Sequence, residues 1–156
     1  MIRNIPDIKV PIIKNGISTT RSLKDEFKNK KLILFGIPGA FTPTCSEKHL
    51  PGYIKLYDTF KKKYIDEIYC LSVNDHYVMK SWLVSYSDDH HIKGIADGNA
   101  EISKYYNLIT DKSNNFMGYR SARFAMLIEN NQIIFLKIEE PGELKVSSAE
   151  NMILEI

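Results

Sequence analysis

Apolar runs alternate along the chain with segments in which apolar side chains recur at helical spacing. Residues 32–37 are apolar throughout, as expected for a central strand buried on both faces of a sheet. Residues 67–73 predict a second buried strand, and residues 91–96 a third and shorter one. The pattern therefore predicts three strands separated by longer connections.

The connections carry helical patterns. Apolar side chains recur every three or four residues over 46–62, and Pro51 predicts a kink there because proline removes a helical hydrogen bond. Asp75 is predicted to cap a helix ending near residue 85, and Asn99 to cap a third helix. Strands and helices thus alternate through the middle of the chain.

Turn and cap residues mark the remaining elements. Asn15-Gly16 predicts a hairpin between short edge strands in residues 5–20, and a short helix is expected near 23–29. Residues 110–121 are polar and are predicted to form a loop. The C-terminal elements predicted are strands at 124–129 and 132–139, joined at Asn130-Asn131, and a helix opened by the capping box of residues 147–150.

This order, β, α, β, α, β, α, β, β, α, predicts an α/β protein with a mixed central sheet and helices on both faces. No repeat, linker or low-complexity segment divides the chain, so residues 1–156 are predicted to form a single domain.

Composition limits the classes of function. Hydrophobic residues make up 44% of the chain and charged residues 26%, which is ordinary for a globular protein, and a net charge of +2 does not favour nucleic-acid binding. No apolar run approaches the roughly 20 residues of a membrane-spanning helix. The N-terminus lacks a signal-peptide core, so a cytoplasmic protein is expected, although a processed organellar protein would show the same sequence. Asp88-Asp89 and Glu139-Glu140 are expected in solvated loops.

The stretch Pro38-Gly39-Ala40-Phe41-Thr42-Pro43-Thr44-Cys45 lies between a predicted strand and a predicted helix. It places Cys45 at a helix start, where unpaired N–H groups carry partial positive charge. A thiol in such a place ionises more readily, and the thiolate is the reactive form. Cys45 is therefore a candidate nucleophile, the alternative being a small buried apolar side chain.

This stretch, followed by His49-Leu50-Pro51-Gly52, resembles the active-site loop of peroxiredoxins, most of all the type II (peroxiredoxin-five-like) subfamily of the AhpC/TSA superfamily. The resemblance continues through residues 70–75, 79–82, 96–98 and 118–123. It implies a thioredoxin-like fold, which the predicted order of elements satisfies. It also implies a thiol-dependent peroxidase that reduces hydrogen peroxide and alkyl hydroperoxides without cofactor or metal, in antioxidant defence and cell redox homeostasis.

The resemblance also implies roles for single residues. Cys45 attacks the peroxide and becomes a sulfenic acid. Thr42 matches the hydroxyl that donates to the peroxide, and Pro38 matches the residue that shields the cysteine. Arg123 matches the arginine that lies against the thiolate, whereas Arg120 is near enough in sequence to confuse this assignment.

Three further side chains near these motifs are candidates. Phe41 and Phe116 are expected to flank the substrate pocket and admit alkyl chains. His49 lies four residues after Cys45 on the same helix face, but the other histidines complete no recognisable ligand set. A structural role beside the loop is therefore expected for His49.

Cys70 lies in the predicted strand 67–73, where a buried and inert thiol is favoured. Some type II peroxiredoxins carry a second cysteine at this spacing, proposed to resolve the sulfenic acid, so that role stays open. Without it the family implies an external reductant, either glutathione with glutaredoxin or thioredoxin. The family also suggests a homodimer with its contact near the active-site loop.

Two other functions remain as alternatives on sequence grounds. A redox sensor or holdase-type binding protein would oxidise Cys45 and pass the oxidation to a partner. A thiol–disulfide reductase is disfavoured because the chain has no Cys-x-x-Cys motif.

Overall fold

The computed structural model describes residues 3–86 and 90–156, which contain nine strands and six α-helices. The strands are β1 (Lys9–Lys14), β2 (Ile17–Ser22), β3 (Lys31–Ile37), β4 (Glu67–Ser72), β5 (Lys93–Ala96), β6 (Ile109–Asp111), β7 (Tyr119–Ser121), β8 (Phe124–Glu129) and β9 (Gln132–Ile138). The helices are α1 (Leu23–Glu26), α2 (Leu50–Lys55), α3 (Tyr57–Lys62), α4 (His76–Val84), α5 (Glu101–Tyr105) and α6 (Ala149–Glu155). A π-helical segment, Cys45–His49, precedes α2, and a 3₁₀ turn spans Ser113–Asn115.

Seven strands form one mixed sheet in the order β2-β1-β5-β4-β3-β8-β9. The strands β3, β4 and β5 run parallel, and the other pairings are antiparallel. Ile33 and Phe35 of β3 face one apolar core with α2, α3, α4 and α6, whereas Leu32 and Leu34 face another with α1 and α5. The predicted mixed sheet with helices on both faces is confirmed.

Elements set by local turn and cap chemistry form where they are predicted. The Asn15-Gly16 and Asn130-Asn131 pairs all adopt positive φ and join β1 to β2 and β8 to β9. The Asp75 carboxylate accepts a hydrogen bond from the Val78 N–H at 2.8 Å and caps α4.

Two predicted caps are wrong. Asn99 does not cap α5, because the N-cap is Ala100 and the buried Asp97 carboxylate accepts the N–H groups of Ile102 and Ser103. The last helix begins one residue later than the capping box implies, since Ser148 rather than the preceding serine accepts the helical N–H of Asn151.

Residues 110–121 are not simply a loop, because β6 and β7 pair within this segment, with Thr110 opposite Arg120. The predicted loop at Asp88-Asp89 lies outside the described residues. Within the described ranges, none of the helices has the length and apolar character needed to cross a membrane.

Candidate active site

The loop that precedes Cys45 leaves the carboxyl end of β3, in the middle of the sheet. The Ala40 N–H donates to the Asn74 side chain at 3.0 Å, and the Thr42 hydroxyl donates to the Gly39 carbonyl at 2.7 Å. Phe41 adopts the left-handed conformation (φ 65°), which non-glycine residues seldom occupy. The backbone is thus folded tightly before the helix begins.

Cys45 lies in the first turns of this helix, as predicted, but the turn is π-helical. The Leu50 N–H donates to the Cys45 carbonyl, five residues back. Pro51 follows directly and has no N–H to continue an α-helical ladder. The irregularity predicted at Pro51 takes the form of a π-helical segment that ends just before this proline. A second break, at Leu56, separates α2 from α3.

Arg123 lies beside Cys45 because of the sheet register. It immediately precedes β8, which runs antiparallel to β3 with Phe124 opposite Gly36, so the start of β8 meets the end of β3. Arg123 Nη2 donates to Cys45 Sγ at 3.2 Å. Arg120 donates instead to backbone carbonyls, through Nε to Met117 at 2.8 Å and through Nη1 to Pro38 at 3.4 Å. The guanidinium at the sulfur stabilises negative charge there.

His49 is buried and holds the other arm of Arg123. Its Nδ1 lies 2.9 Å from Arg123 Nη1, and its Nε2 lies 3.0 Å from the Ser147 carbonyl oxygen. Burial and then the positive charge of Arg123 lower the pKa of His49 to about 3, so the ring is neutral near pH 7. Nδ1 accordingly accepts from Arg123 while Nε2–H donates to Ser147. The structural role of His49 is therefore to orient the Arg123 guanidinium.

A cavity of about 250 Å³ lies beside the loop that precedes Cys45 and is lined by Arg123, whereas the Cys45 side chain is itself fully buried. Pro38, Thr42 and Arg123 line this cavity, so three of the predicted site residues meet there. Neither predicted aromatic lies among its lining residues: the side chains of Phe41 and Phe116 are 56% and 99% exposed. Met117 lines it instead.

Cys70 is buried in β4 between Phe35 of β3 and Gly94 of β5. Both cysteines are free thiols, and both belong to the core that α2 and α4 cover. Burial raises the pKa of the Cys70 thiol well above its ordinary value, which keeps it protonated. Its surroundings are those of an unreactive thiol.

Glu139 contradicts its prediction as a solvated loop residue, being only 9% exposed. Its Oε2 accepts from the Lys145 N–H at 2.7 Å and from the Ser147 N–H and hydroxyl at 2.8 and 2.6 Å. Burial acts to raise the pKa of Glu139, but these hydrogen bonds outweigh it and lower the pKa. Nothing in the sequence indicated this burial, because the adjacent pair Glu139-Glu140 is typical of an exposed loop.

Among the described residues, no cluster of three His, Cys, Asp or Glu side chains could hold a metal ion.

Comparisons with known proteins identify the family of this chain. Residues 3–153 match the Redoxin family model. The chain is 43% identical to peroxiredoxin-2D of Arabidopsis thaliana over 150 residues, which cover 96% of this chain and 93% of that protein. Reduced Prx3 of Vibrio vulnificus in complex with hydrogen peroxide superimposes with a TM-score of 0.92 at 39% identity, covering 99% of each chain. The antioxidant protein of Plasmodium falciparum, a 1-Cys peroxiredoxin, does so with a TM-score of 0.89 at 40% identity, covering 97% of this chain and 96% of that one.

These matches extend over nearly the whole chain and include proteins with the thioredoxin-like fold expected from the sequence. The chain belongs to the redoxin family and, within it, to the type II (peroxiredoxin-five-like) peroxiredoxins, thiol peroxidases with an antioxidant function.

Proposed function

We propose that this peroxidase reduces hydrogen peroxide and small alkyl hydroperoxides at Cys45, and that an external thiol completes the cycle. The contact of Arg123 Nη2 with Cys45 Sγ at 3.2 Å carries the proposal. It gives one thiol, and not the other, a cation that favours the nucleophilic thiolate. The cavity of about 250 Å³ that Arg123 and Thr42 line has room for an alkyl group as well as for two oxygen atoms.

In this mechanism the Cys45 thiolate attacks one peroxide oxygen. An S–O bond forms while the O–O bond breaks, and the departing oxygen takes a proton to leave as water or alcohol. Arg123 stabilises the negative charge as it moves from sulfur to the leaving oxygen. Thr42, on the cavity wall, is the proposed hydroxyl contact for the peroxide, and Pro38 shields the sulfur from water.

The sulfenic acid of Cys45 is reduced in two steps. A thiol condenses with it to a mixed disulfide and releases water, and a second thiol then displaces Cys45 as a thiol. The proposed reductant is glutathione with glutaredoxin, with thioredoxin as the alternative. Cys70 is not proposed to attack the sulfenic acid of Cys45, because it is fully buried in a strand that is paired on both sides. A bond to Cys45 would require Cα atoms within about 7 Å and both sulfurs aligned.

Intact mass and thiol counting after one equivalent of hydrogen peroxide test this cycle, on reduced wild type and on Cys70→Ala. The expected product is a gain of one oxygen atom at Cys45 in both proteins. A loss of two hydrogen atoms in wild type alone would make Cys70 the resolving residue. If neither protein changed rapidly, or if Cys45→Ser still consumed peroxide, the peroxidase mechanism would be wrong and the redox-sensor alternative would gain support.

The protein is further proposed to act as a homodimer in the cytoplasm, with residues 1–156 as one thioredoxin-like domain. Phe41 and Phe116 support the dimer, since both are exposed and adjoin cavity residues. The free thiols of both cysteines fit a reducing compartment. Light scattering of wild type and Phe116→Glu tests the dimer, and a monomeric mass for wild type would contradict it.

A further inference from the structure

Four residues behind the sulfur form a closed ring of hydrogen bonds. Arg123 Nη1 donates to His49 Nδ1 at 2.9 Å, and His49 Nε2 donates to the Ser147 carbonyl at 3.0 Å. The N–H and hydroxyl of Ser147 donate to Glu139 Oε2, and the Glu139 N–H returns to the Arg123 carbonyl at 2.9 Å. The ring thus begins and ends at the residue that contacts Cys45.

We propose that Glu139 is a positioning residue for the peroxidase reaction, which holds the Arg123 guanidinium against Cys45 through Ser147 and His49. This inference rests on the proposed roles of Cys45 and Arg123. Glu139 itself does not contact the sulfur.

Each link in the ring orients the next. Oε2 of Glu139 binds both donors of Ser147 and the N–H of Lys145, so the backbone at Ser147 has one orientation. The Ser147 carbonyl, which also accepts from the Tyr53 hydroxyl at 2.7 Å, then faces His49 Nε2 and requires a proton on that nitrogen. The opposite nitrogen, Nδ1, is left as an acceptor, which binds one arm of Arg123 and directs the other to sulfur.

Sheet register explains why Glu139 can act at both ends of the ring. In the β8–β9 hairpin Phe124 lies opposite Ile138, so the residues just outside this pair, Arg123 and Glu139, are also neighbours. The backbone of Glu139 therefore holds the backbone of Arg123 while its carboxylate holds the segment that orients His49. Moving the carboxylate oxygen would disturb only the side-chain half of the ring.

A simple charge effect of Glu139 predicts the opposite result to positioning. Removing a negative charge near the site would make the Cys45 thiolate more favourable. Withdrawing the arginine would make the thiolate less favourable. Two matched variants separate these causes: Glu139→Gln keeps an oxygen in place and loses the charge, whereas Glu139→Asp keeps the charge and withdraws the oxygens by one methylene.

The experiment measures the rate of iodoacetamide alkylation of Cys45 against pH, with each variant carried in a Cys70→Ala background. It reports the thiolate fraction without peroxide turnover, so a failure of this inference is distinguishable from a failure of the proposed function. In Glu139→Asp the midpoint of the profile is expected to rise by about one pH unit, with a fall of about tenfold in the rate of peroxide reduction. Glu139→Gln is expected to stay within about threefold of the parent protein.

Glu129→Ala, at the exposed far end of β8, is the control carboxylate and should leave both measurements unchanged. A double variant tests the path through the ring. In a His49→Leu background, Glu139→Asp is expected to cause no further loss, because the ring is already open. The inference would be overturned if Glu139→Asp lowered the rate of peroxide reduction equally in both backgrounds. It would also be overturned if the alkylation midpoint fell in Glu139→Gln, or if it stayed unchanged in Glu139→Asp.

Discussion

His49 Nδ1 accepts a hydrogen bond from Arg123 Nη1 at 2.9 Å, so a neutral buried ring holds the guanidinium beside Cys45. A carboxylate in this place would bind the arginine more strongly but would also neutralise its charge. The imidazole orients the guanidinium and leaves its positive charge available to the sulfur. The pairing therefore separates the task of holding Arg123 from the task of stabilising a thiolate.

Removing this cation should slow peroxide attack. Arg123→Ala is expected to lower the second-order rate constant for hydrogen peroxide by about 10²–10³-fold, because a donor aimed at developing charge is lost. Arg123→Lys should be intermediate, since one ammonium cannot serve both His49 and Cys45 in the same geometry. Stopped-flow fluorescence can follow the reaction, because Trp82, the single tryptophan, donates to Ser46 beside Cys45 at 3.0 Å.

Arg120→Ala is the matched control for this measurement, because Arg120 lies in the same segment and contacts backbone carbonyls rather than sulfur. Arg120→Ala should lower the second-order rate constant for hydrogen peroxide much less than Arg123→Ala does. An equal loss in the two variants, or a normal rate in Arg123→Ala at neutral pH, would remove Arg123 from its proposed role.

Stability should depend on pH through His49. The pKa of this buried ring is lowered from 6.5 to about 3 in the folded protein, so only the unfolded chain takes up its proton between those values. The stabilisation is complete above about pH 6.5 and is lost as pH falls towards 3, by up to about 1.4 kcal/mol per pH unit. Urea unfolding at pH 7, 6 and 5 measures this slope.

His49→Leu should flatten the slope between pH 6.5 and 5, whatever its effect on stability at pH 7. Substitution of the exposed His91 by Asn is the control and should leave the slope as in wild type. Below about pH 4.5, buried Glu26 adds a second loss: burial opposes ionisation, but Lys14, Tyr69 and Lys30 lower its pKa to about 2. A wild-type slope in His49→Leu would show that another group takes up the proton.

The two thiols should differ in reactivity. Both are fully buried, but the Cys70 thiol stays protonated, whereas Arg123 at the Cys45 sulfur favours a thiolate there, so small alkylating reagents are expected to modify Cys45 alone in the native protein. Both cysteines should react in denaturant. Peptide mapping of the labelled protein gives the count, and Cys70→Ala should show one modified thiol in both conditions. Rapid native labelling of Cys70 would indicate that β4 opens more readily than its pairing suggests.

Two glycines should respond oppositely to alanine. A Cβ atom at Gly36 in β3 would overlap the ring of Phe124, so Gly36→Ala is expected to lower the unfolding free energy by about 1–3 kcal/mol. At Gly52 in α2 the nearest atom, Ala149 Cβ, lies at 3.6 Å, and Gly52→Ala should stabilise the helix by about 0.5–1 kcal/mol. Denaturant midpoints compare the pair, and a stable Gly36→Ala would show that Phe124 can move aside.

The elements that depend on neighbouring residues could be predicted from the sequence. The strand at residues 32–37, the turn at Asn15-Gly16 and the Asp75 cap depend mainly on neighbouring residues, so each formed within a residue or two of its prediction. The loop before Cys45 and the family it indicates were likewise carried by one continuous stretch.

Long-range contacts were decided only by the tertiary structure. Arg123 and Arg120 are indistinguishable by local pattern. The register of β8 on β3 places Arg123 at Cys45, whereas Arg120, in β7, donates to the carbonyls of Met117 and Pro38. The neutral state of His49 likewise depends on its burial and on the charge of Arg123, which is remote from it in sequence, and the Glu139 carboxylate is bound by Ser147. The sequence by itself determined the nucleophile candidate and most of the order of strands and helices. The groups that orient and charge the site were decided by strand register and burial, which no local pattern encodes.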